Sequence, residues 1–130
     1  MTEEEMETAR AFVACPRWVW LPGMRADCGY RLVRKDGSLW WVARWDEARL
    51  SCISLRASIP DITDPATLGC IRHIVVDVLG IVDWDLTQAG SAGWYFGFVT
   101  LGGDDFDFWG NTEAEPLLRA LQAAPEVKNE

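Results

Sequence analysis

Apolar residues recur along this chain at two spacings, one typical of helices and one typical of strands. Segments with helical spacing are residues 3–14, 64–80 and 113–124. Strand-like alternation is found at 27–45, 48–56, 81–86 and 94–110, and the first and last of these read as hairpins. The order of helix, strands, helix, strands and helix predicts an α+β domain. We expect an antiparallel sheet built from two hairpins and covered by about three helices, in a sandwich-like arrangement.

The predicted second and third helices carry recognisable end signals. Asp64 is a suitable N-cap, Pro65 suits the first helical position, and Gly80 suits the end of the second helix. Thr112 and Glu115 have the spacing of a capping box at the third helix. These signals predict where the helices begin and end.

The first hairpin turns at Asp36-Gly37, a strong signal for a two-residue turn. Pairing across this turn predicts one strongly apolar face. The expected pairs are Leu32 with Trp41, Tyr30 with Ala43, and Cys28 with Trp45.

The other face of the first hairpin offers a candidate ligand site. Trp40 is flanked there by Arg31 and Arg44, and an indole between guanidinium groups can stack on a planar anionic ligand and hydrogen-bond to it. The competing interpretation is that Trp40 packs under a helix or loop while the arginines extend to solvent.

The second hairpin turns near Gly102-Gly103. A two-residue turn sets Val99 opposite Phe106 and Gly97 opposite Phe108, so that an aromatic ring such as Phe108 can lie across Gly97. A longer turn that shifts the pairing by an even number of residues sets Val99 opposite Phe108 and keeps the same faces. The opposite face is then only half apolar, with Phe96, Phe98, Thr100, Asp105 and Asp107.

Alternating acids on two strands give a candidate metal site. Asp83 and Asp85 share one strand face, as do Asp105 and Asp107, so four carboxylates could surround a divalent cation if the two strands pair. Magnesium chemistry on a nucleotide would then be conceivable. Alternating acids more commonly mark the solvent face of a strand, and this interpretation is favoured.

Cysteine and histidine spacing predicts no metal site. Four cysteines lie far apart with no C-x-x-C pair, and His73 is the only histidine. We therefore expect reduced thiols, although Cys70 and His73 would share a helix face as half of a metal or nucleophile site. Neither a Ser/His/Asp arrangement nor a phosphate-binding glycine loop is recognisable, so no catalytic residue and no cofactor is predicted. The cysteines are Cys15, Cys28, Cys52 and Cys70.

Composition places the chain among ordinary globular proteins. With 130 residues, of which 49% are hydrophobic and 25% charged, we expect one domain over residues 1–130 with a tail that frays from about residue 125. The net charge of -8 opposes binding to phosphate backbones, so nucleic acid is an unfavourable partner, although an acidic surface could occupy a basic groove of another protein. No apolar run reaches membrane-spanning length and the chain opens M-T-E-E-E, which predicts a cytoplasmic protein.

Three segments resemble small uncharacterised proteins encoded by tailed bacteriophages and prophages: residues 12–25, 60–71 and 111–124. The latter two also resemble the phage ABA sandwich domain family. The resemblance implies a phage-encoded accessory protein in a bacterial cytoplasm, and it assigns no catalytic residue.

Three hypotheses for function follow. The first is a non-enzymatic module that binds a host or phage protein, motivated by a small, acidic and aromatic-rich domain. The second is a protein that binds or sequesters a small anionic molecule such as a nucleotide through Trp40, Arg31 and Arg44. The third is a metal-dependent enzyme that uses the four aspartates. Charge repulsion favours a monomer or at most a weak dimer through an edge strand.

Overall fold

The computed structural model of the chain describes residues 1–43, 50–51 and 58–123, and it confirms the α+β class. Within these residues, three α-helices and two antiparallel three-stranded sheets alternate along the chain. The bounds are α1 Glu3–Ala14, β1 Tyr30–Lys35, β2 Ser38–Ala43, β3 Leu50–Ser51, α2 Pro65–Leu79, β4 Ile81–Gln88, β5 Trp94–Thr100, β6 Asp105–Gly110 and α3 Ala114–Gln122. The two predicted hairpins belong to different sheets, β1-β2-β3 and β4-β5-β6.

The chain forms two compact units, and the boundary between them falls within α2. The expectation of a single domain stays a prediction. The tail predicted to fray and most of the strand predicted at 48–56 lie outside the described residues. The first unit is Met1–Ala14 with Trp18–Cys70, and the second is Cys15–Arg17 with Ile71–Glu130.

The first hairpin has the predicted register. Asp36 and Gly37 both have positive φ, at 53° and 78°, as a tight two-residue hairpin turn requires. Leu32 lies opposite Trp41, and both are buried together with Ala26. The expected pair of Tyr30 with Ala43 is also confirmed, whereas the pair of Cys28 with Trp45 lies outside the described residues.

Tryptophans link the segment after α1 to the first sheet. Trp18 packs against Phe12 with ring centroids 5.8 Å apart, and against Trp20 at 5.4 Å. Trp20 in turn meets Trp41 of β2 edge-on at 5.2 Å. Such edge-to-face contacts are favourable for aromatic quadrupoles, so these rings hold the irregular segment in place.

The end signals of α2 behave as predicted. The carboxylate of Asp64 accepts hydrogen bonds from the backbone N–H and the hydroxyl of Thr67, at 3.0 and 2.8 Å. Pro65 is the first helical residue, and Gly80 follows the last one with a φ of 62°. Local chemistry alone therefore defines both ends of this helix.

The second hairpin has a register that the sequence did not predict. Phe98 lies opposite Phe106, and Phe96 lies opposite Phe108, so four phenylalanines share one face. Val99 is therefore on the other face, and its predicted pairing with Phe106 or Phe108 is wrong. The face expected to be half apolar is instead the phenylalanine-rich face, where Phe96 and Phe98 are buried.

The loop length explains the difference. The backbone N–H of Thr100 donates to the carbonyl of Asp104 at 3.0 Å, and that of Gly103 donates to the carbonyl of Thr100 at 2.9 Å. Residues 101–103 thus form a three-residue loop, with Gly103 at a φ of 85°. An odd loop shifts the pairing by one residue relative to a two-residue turn, and a shift of one moves every side chain to the opposite face.

Helix α3 packs against β5 and β6 on the phenylalanine face. Gly110, which shares that face with Phe108, lies under the start of α3: an added Cβ there would overlap the Cβ of Glu115 and come within 2.8 Å of Cδ of Pro116. The apolar side of α3, including Leu117 and Leu121, is buried. Helix α3 therefore covers this face over β5 and β6, whereas Trp84 of β4, on the same face, is 44% exposed.

The predicted capping box of α3 is wrong. The helix begins at Ala114 with Glu113 as its N-cap, and no side chain caps it. The hydroxyl of Thr112 is buried without a hydrogen-bond partner, as is one carboxylate oxygen of Glu115. At the start of α3, Glu115 and Pro116 pack closely on Gly110.

Candidate functional site: the acidic face of the second sheet

The side of the β4-β5-β6 sheet opposite α3 carries four carboxylates, all on exposed residues. Strand β5 lies between β4 and β6. Each of these two edge strands contributes two aspartates. Because side chains alternate along a strand, register partners share a face. One row across the sheet is Asp83, Val99 and Asp105, and the next is Asp85, Gly97 and Asp107. We call these rows, with Tyr95 and Trp109, the acidic face.

The acidic face contains a groove with a volume of about 370 Å³. Its walls are the aspartates of β4 and β6, which lie two strand spacings apart, or about 10 Å between backbones. Its floor consists of Gly97, Val99 and Tyr95 of β5. The ten residues that line it, all in the described part of the chain, include four Asp but no Lys, Arg or His. The groove is therefore uniformly acidic.

Tyr95 lies across Gly97, because a Cβ added to Gly97 would overlap the tyrosine hydroxyl and the end of its ring. The prediction that Phe108 covers this glycine is therefore wrong: the shifted register puts Phe108 on the opposite face. Trp109, the register partner of Tyr95, packs against it with ring centroids 4.9 Å apart and is 43% exposed. Tyr95 thus lines the groove, and Trp109 packs beside it on the same face.

The four aspartates share a face as predicted, but β4 and β6 do not pair, so the premise of the metal hypothesis is corrected. Among the described residues, no group of three or more His, Cys, Asp or Glu side chains is arranged to hold a metal ion. Strand β5 separates the two pairs of aspartates, and all four are exposed residues. The arrangement is an open charged surface.

One member of the candidate platform on the first hairpin, Arg31, has partners within the protein. The two terminal nitrogens of Arg31 donate to the two carboxylate oxygens of Asp64, each at 3.0 Å, and one also donates to the carbonyl of Gly23. Trp40 is 38% exposed, and Arg44 lies outside the described residues. Arg31 therefore has a structural partner in place of an anionic ligand.

The hydrogen bonds at Asp64 also explain its ionisation. Burial alone would raise the pKa of this carboxyl, but the hydrogen bonds from Arg31 and Thr67 outweigh burial and lower the pKa below its ordinary value. The same bidentate contact raises the pKa of Arg31. Both groups are ionised at neutral pH, as a charge-assisted pair requires.

Cys70 does not have the environment of a nucleophile. Its thiol donates to the carbonyl of Pro22 at 3.6 Å, and burial raises its pKa. A reactive cysteine needs the opposite shift, toward the thiolate. The interpretation of Cys70 as a partly buried structural thiol is therefore favoured over the half-site with His73.

The sequence named the four aspartates but missed Tyr95, Gly97 and Trp109 as parts of the same face. The missed signal was the odd loop: Gly103 tolerates a positive φ, and a three-residue turn ending in such a glycine is a common hairpin connection. With that turn, Gly97 falls in the row of Asp85 and Asp107.

Fold and site together define a small α+β protein with an acidic, partly aromatic groove on one open sheet face. Comparisons with protein-family models, curated protein sequences and solved structures find no match. Among the described residues, none of the helices combines the length and apolarity needed to cross a bilayer. The resemblance to phage proteins remains a prediction from the sequence.

Proposed function

We propose that this protein is a non-enzymatic interaction module that binds a basic segment of a protein partner through its acidic face. The observation that carries the proposal is the groove of β4-β5-β6, walled by four exposed aspartates with no basic side chain in its lining. Like charges on one surface raise its negative potential and attract cationic partners. Electrostatic complementarity of this kind gives specificity and a fast association rate.

The shape of the groove favours an extended segment over a small enclosed ligand. Its aspartates are exposed and lie on the two edge strands β4 and β6, with about 7 Å between successive rows. The spacing of alternate residues along an extended peptide is similar, so cationic side chains at every second position can reach successive rows. The net charge of -8 disfavours nucleic acid as the partner.

The setting that we propose for this module follows from the sequence. The segments 60–71 and 111–124 resemble phage and prophage proteins, so we propose an accessory protein of a phage that acts in the bacterial cytoplasm on a host or phage protein. A basic groove that normally contacts nucleic acid is one kind of partner surface that an acidic face complements.

The proposal is tested by fluorescence anisotropy with a labelled eight-residue peptide that alternates serine and arginine. Replacing all four groove carboxylates by amides removes four charges without changing side-chain size, and we expect affinity to fall at least tenfold at low salt, because each exposed ion pair contributes a few tenths of a kcal/mol to about 1 kcal/mol. The variant is Asp83→Asn, Asp85→Asn, Asp105→Asn and Asp107→Asn.

The matched control removes four charges from exposed acids elsewhere, so the two variants have the same net charge. We expect the control to bind within about twofold of the wild type, because its four acids do not line the groove and form no ion pair with a peptide bound there. Equal losses in both variants would mean that overall charge, and not the acidic face, attracts the peptide. The control is Glu3→Gln, Glu7→Gln, Asp36→Asn and Asp77→Asn.

A further inference from the structure

We infer that the ring of Tyr95, between Asp85 and Asp107, binds an arginine side chain of the protein partner. The inference rests on the proposed function and specifies which side chain the groove recognises. The expected ligand is arginine rather than any cation, because an aromatic ring lies in the same row as two carboxylates.

The position of Tyr95 follows from the register. Gly97 is the register partner of Asp85 on β4 and of Asp107 on β6, so it lies midway between the two carboxylates. The hydroxyl end of Tyr95 occupies the space that a side chain on Gly97 would need. The hydroxyl end of the ring therefore lies over Gly97, in the row of these two aspartates, and Tyr95 lines the groove.

Trp109 extends the aromatic surface. It belongs to the adjacent row and packs against Tyr95 at a tilt of 58°. Trp109 is 43% exposed, and its side chain lies on the same side of the sheet as Tyr95. A flat cation that enters along β5 would thus meet an aromatic ring below it, a second ring at one end and a carboxylate on either side.

This arrangement suits guanidinium better than ammonium. A guanidinium group is planar and weakly hydrated, stacks on an aromatic ring, and donates hydrogen bonds in its own plane. Asp85 and Asp107 lie on either side of Gly97, over which the tyrosine hydroxyl lies, so we expect in-plane N–H groups of a guanidinium stacked on this ring to reach their carboxylates. A lysine ammonium can pair with one carboxylate but gains less from stacking.

The experiment compares two peptides of eight residues, one alternating serine with arginine and the other serine with lysine, against the same set of proteins. For the wild type we expect the arginine peptide to bind about threefold more tightly, the size of a cation–π preference at an exposed site. Tyr95→Leu should abolish that preference, whereas Tyr95→Phe keeps the ring and should retain it.

Gly97→Ala provides a second route to the same result. The new Cβ would displace the mobile end of Tyr95 rather than any backbone, so the sheet should remain intact while the ring leaves the floor. We expect this variant to lose the arginine preference although every charged group is kept. It also keeps the inference testable if Tyr95→Leu folds poorly, as far-UV circular dichroism would reveal.

The outcomes separate the inference from the proposed function. The arginine site is overturned if the wild type binds the two peptides equally, or if its preference survives both Tyr95→Leu and Gly97→Ala. In either case the proposed function stands as long as the fourfold Asn variant loses binding. If the fourfold Asn variant binds the arginine peptide as the wild type does, the proposed function itself fails, whatever the tyrosine variants show.

Discussion

At the scale of single residues, Asp64 joins two interactions that lie far apart in sequence. It caps α2 through Thr67. It also forms a bidentate pair with Arg31 of β1, which lies 33 residues earlier in the chain. The capping role was readable from the sequence, because it depends on residues three positions apart. The pair with Arg31 was not, because it depends on the tertiary arrangement of a strand and a helix.

The lowered pKa of Asp64 predicts how stability changes with pH. A carboxyl whose pKa is lower in the folded state stabilises the protein above its unfolded pKa of about 3.9, and this contribution is lost as the pH falls through the folded pKa. Asp64→Asn should therefore be less stable than the wild type near neutral pH, by about 1 to 2 kcal/mol, because asparagine can still cap the helix but loses the charge-assisted pair with the partly exposed Arg31. The difference should shrink below about pH 4.

Urea unfolding of both proteins at about pH 6 and about pH 3 measures this difference directly. Asp36→Asn is the matched control, because the same change of group is made at an exposed turn residue with a φ of 53°, a conformation that asparagine tolerates. A gap between wild type and Asp64→Asn that stays constant with pH would contradict the account of this carboxyl.

Gly110 predicts a steric effect under α3. Gly110→Ala would bring a Cβ into Glu115 and Pro116, so we expect a loss of about 1 to 3 kcal/mol in the free energy of unfolding, as in overpacked cores. Gly102→Ala serves as the control, because its nearest neighbour lies 3.5 Å away, an ordinary contact. Similar stabilities of the two variants in urea would refute the close packing of α3 on β6.

At the scale of elements, most boundaries were predictable and one register was not. The start and end of α2 and the turn at Asp36-Gly37 depend on local backbone chemistry, and the structure confirms them. The second hairpin depends on whether its loop has two or three residues, and Gly102-Gly103 is compatible with both. A difference of one residue exchanged the two faces of β5 relative to β6, and with them the composition of the candidate site.

The three-residue loop requires a positive φ at Gly103, and substitutions at this position can test that requirement. Its φ of 85° is strained for residues with a side chain, and no atom lies within 4 Å of an added Cβ, so any cost arises from the backbone alone. Gly103→Ala should reduce the free energy of unfolding by about 1 kcal/mol, and Gly103→Asn by less, because asparagine tolerates this region.

Thermal and urea unfolding of the two Gly103 variants give the comparison. Alanine and asparagine substitutions that cost the same, or that cost nothing, would argue for a two-residue turn with a different register. The acidic face would then lose Gly97 from its central row.

At the scale of the whole molecule, the distribution of negative charge determines where we expect a cationic partner to bind. The net charge of -8 was evident from composition, but composition could not say where the charge is concentrated. Helix α3 packs on the phenylalanine face over β5 and β6, and the opposite side of the β4-β5-β6 sheet carries four of the twenty acidic residues, all exposed. Burial of one sheet face thus determines where the other face offers a surface to a partner.

Binding through exposed ion pairs should depend strongly on salt. We expect the affinity for the arginine peptide to fall steadily as sodium chloride rises from about 0.05 M to about 0.5 M, because the Debye length shortens about threefold over this range, to less than the roughly 10 Å between the groove walls. The fourfold Asn variant should show a much flatter dependence in the same anisotropy titration. Parallel salt dependences for the two proteins would place the contacts elsewhere.

The central claim is that the acidic face is the binding surface, and its most direct test is an NMR titration of ¹⁵N-labelled protein with the serine–arginine peptide. We predict the largest shift changes at the backbone amides of Gly97, Val99 and Asp107 and at the indole N–H of Trp109. Changes centred on the acidic first turn of α1, with the β5 signals unmoved, would contradict the account.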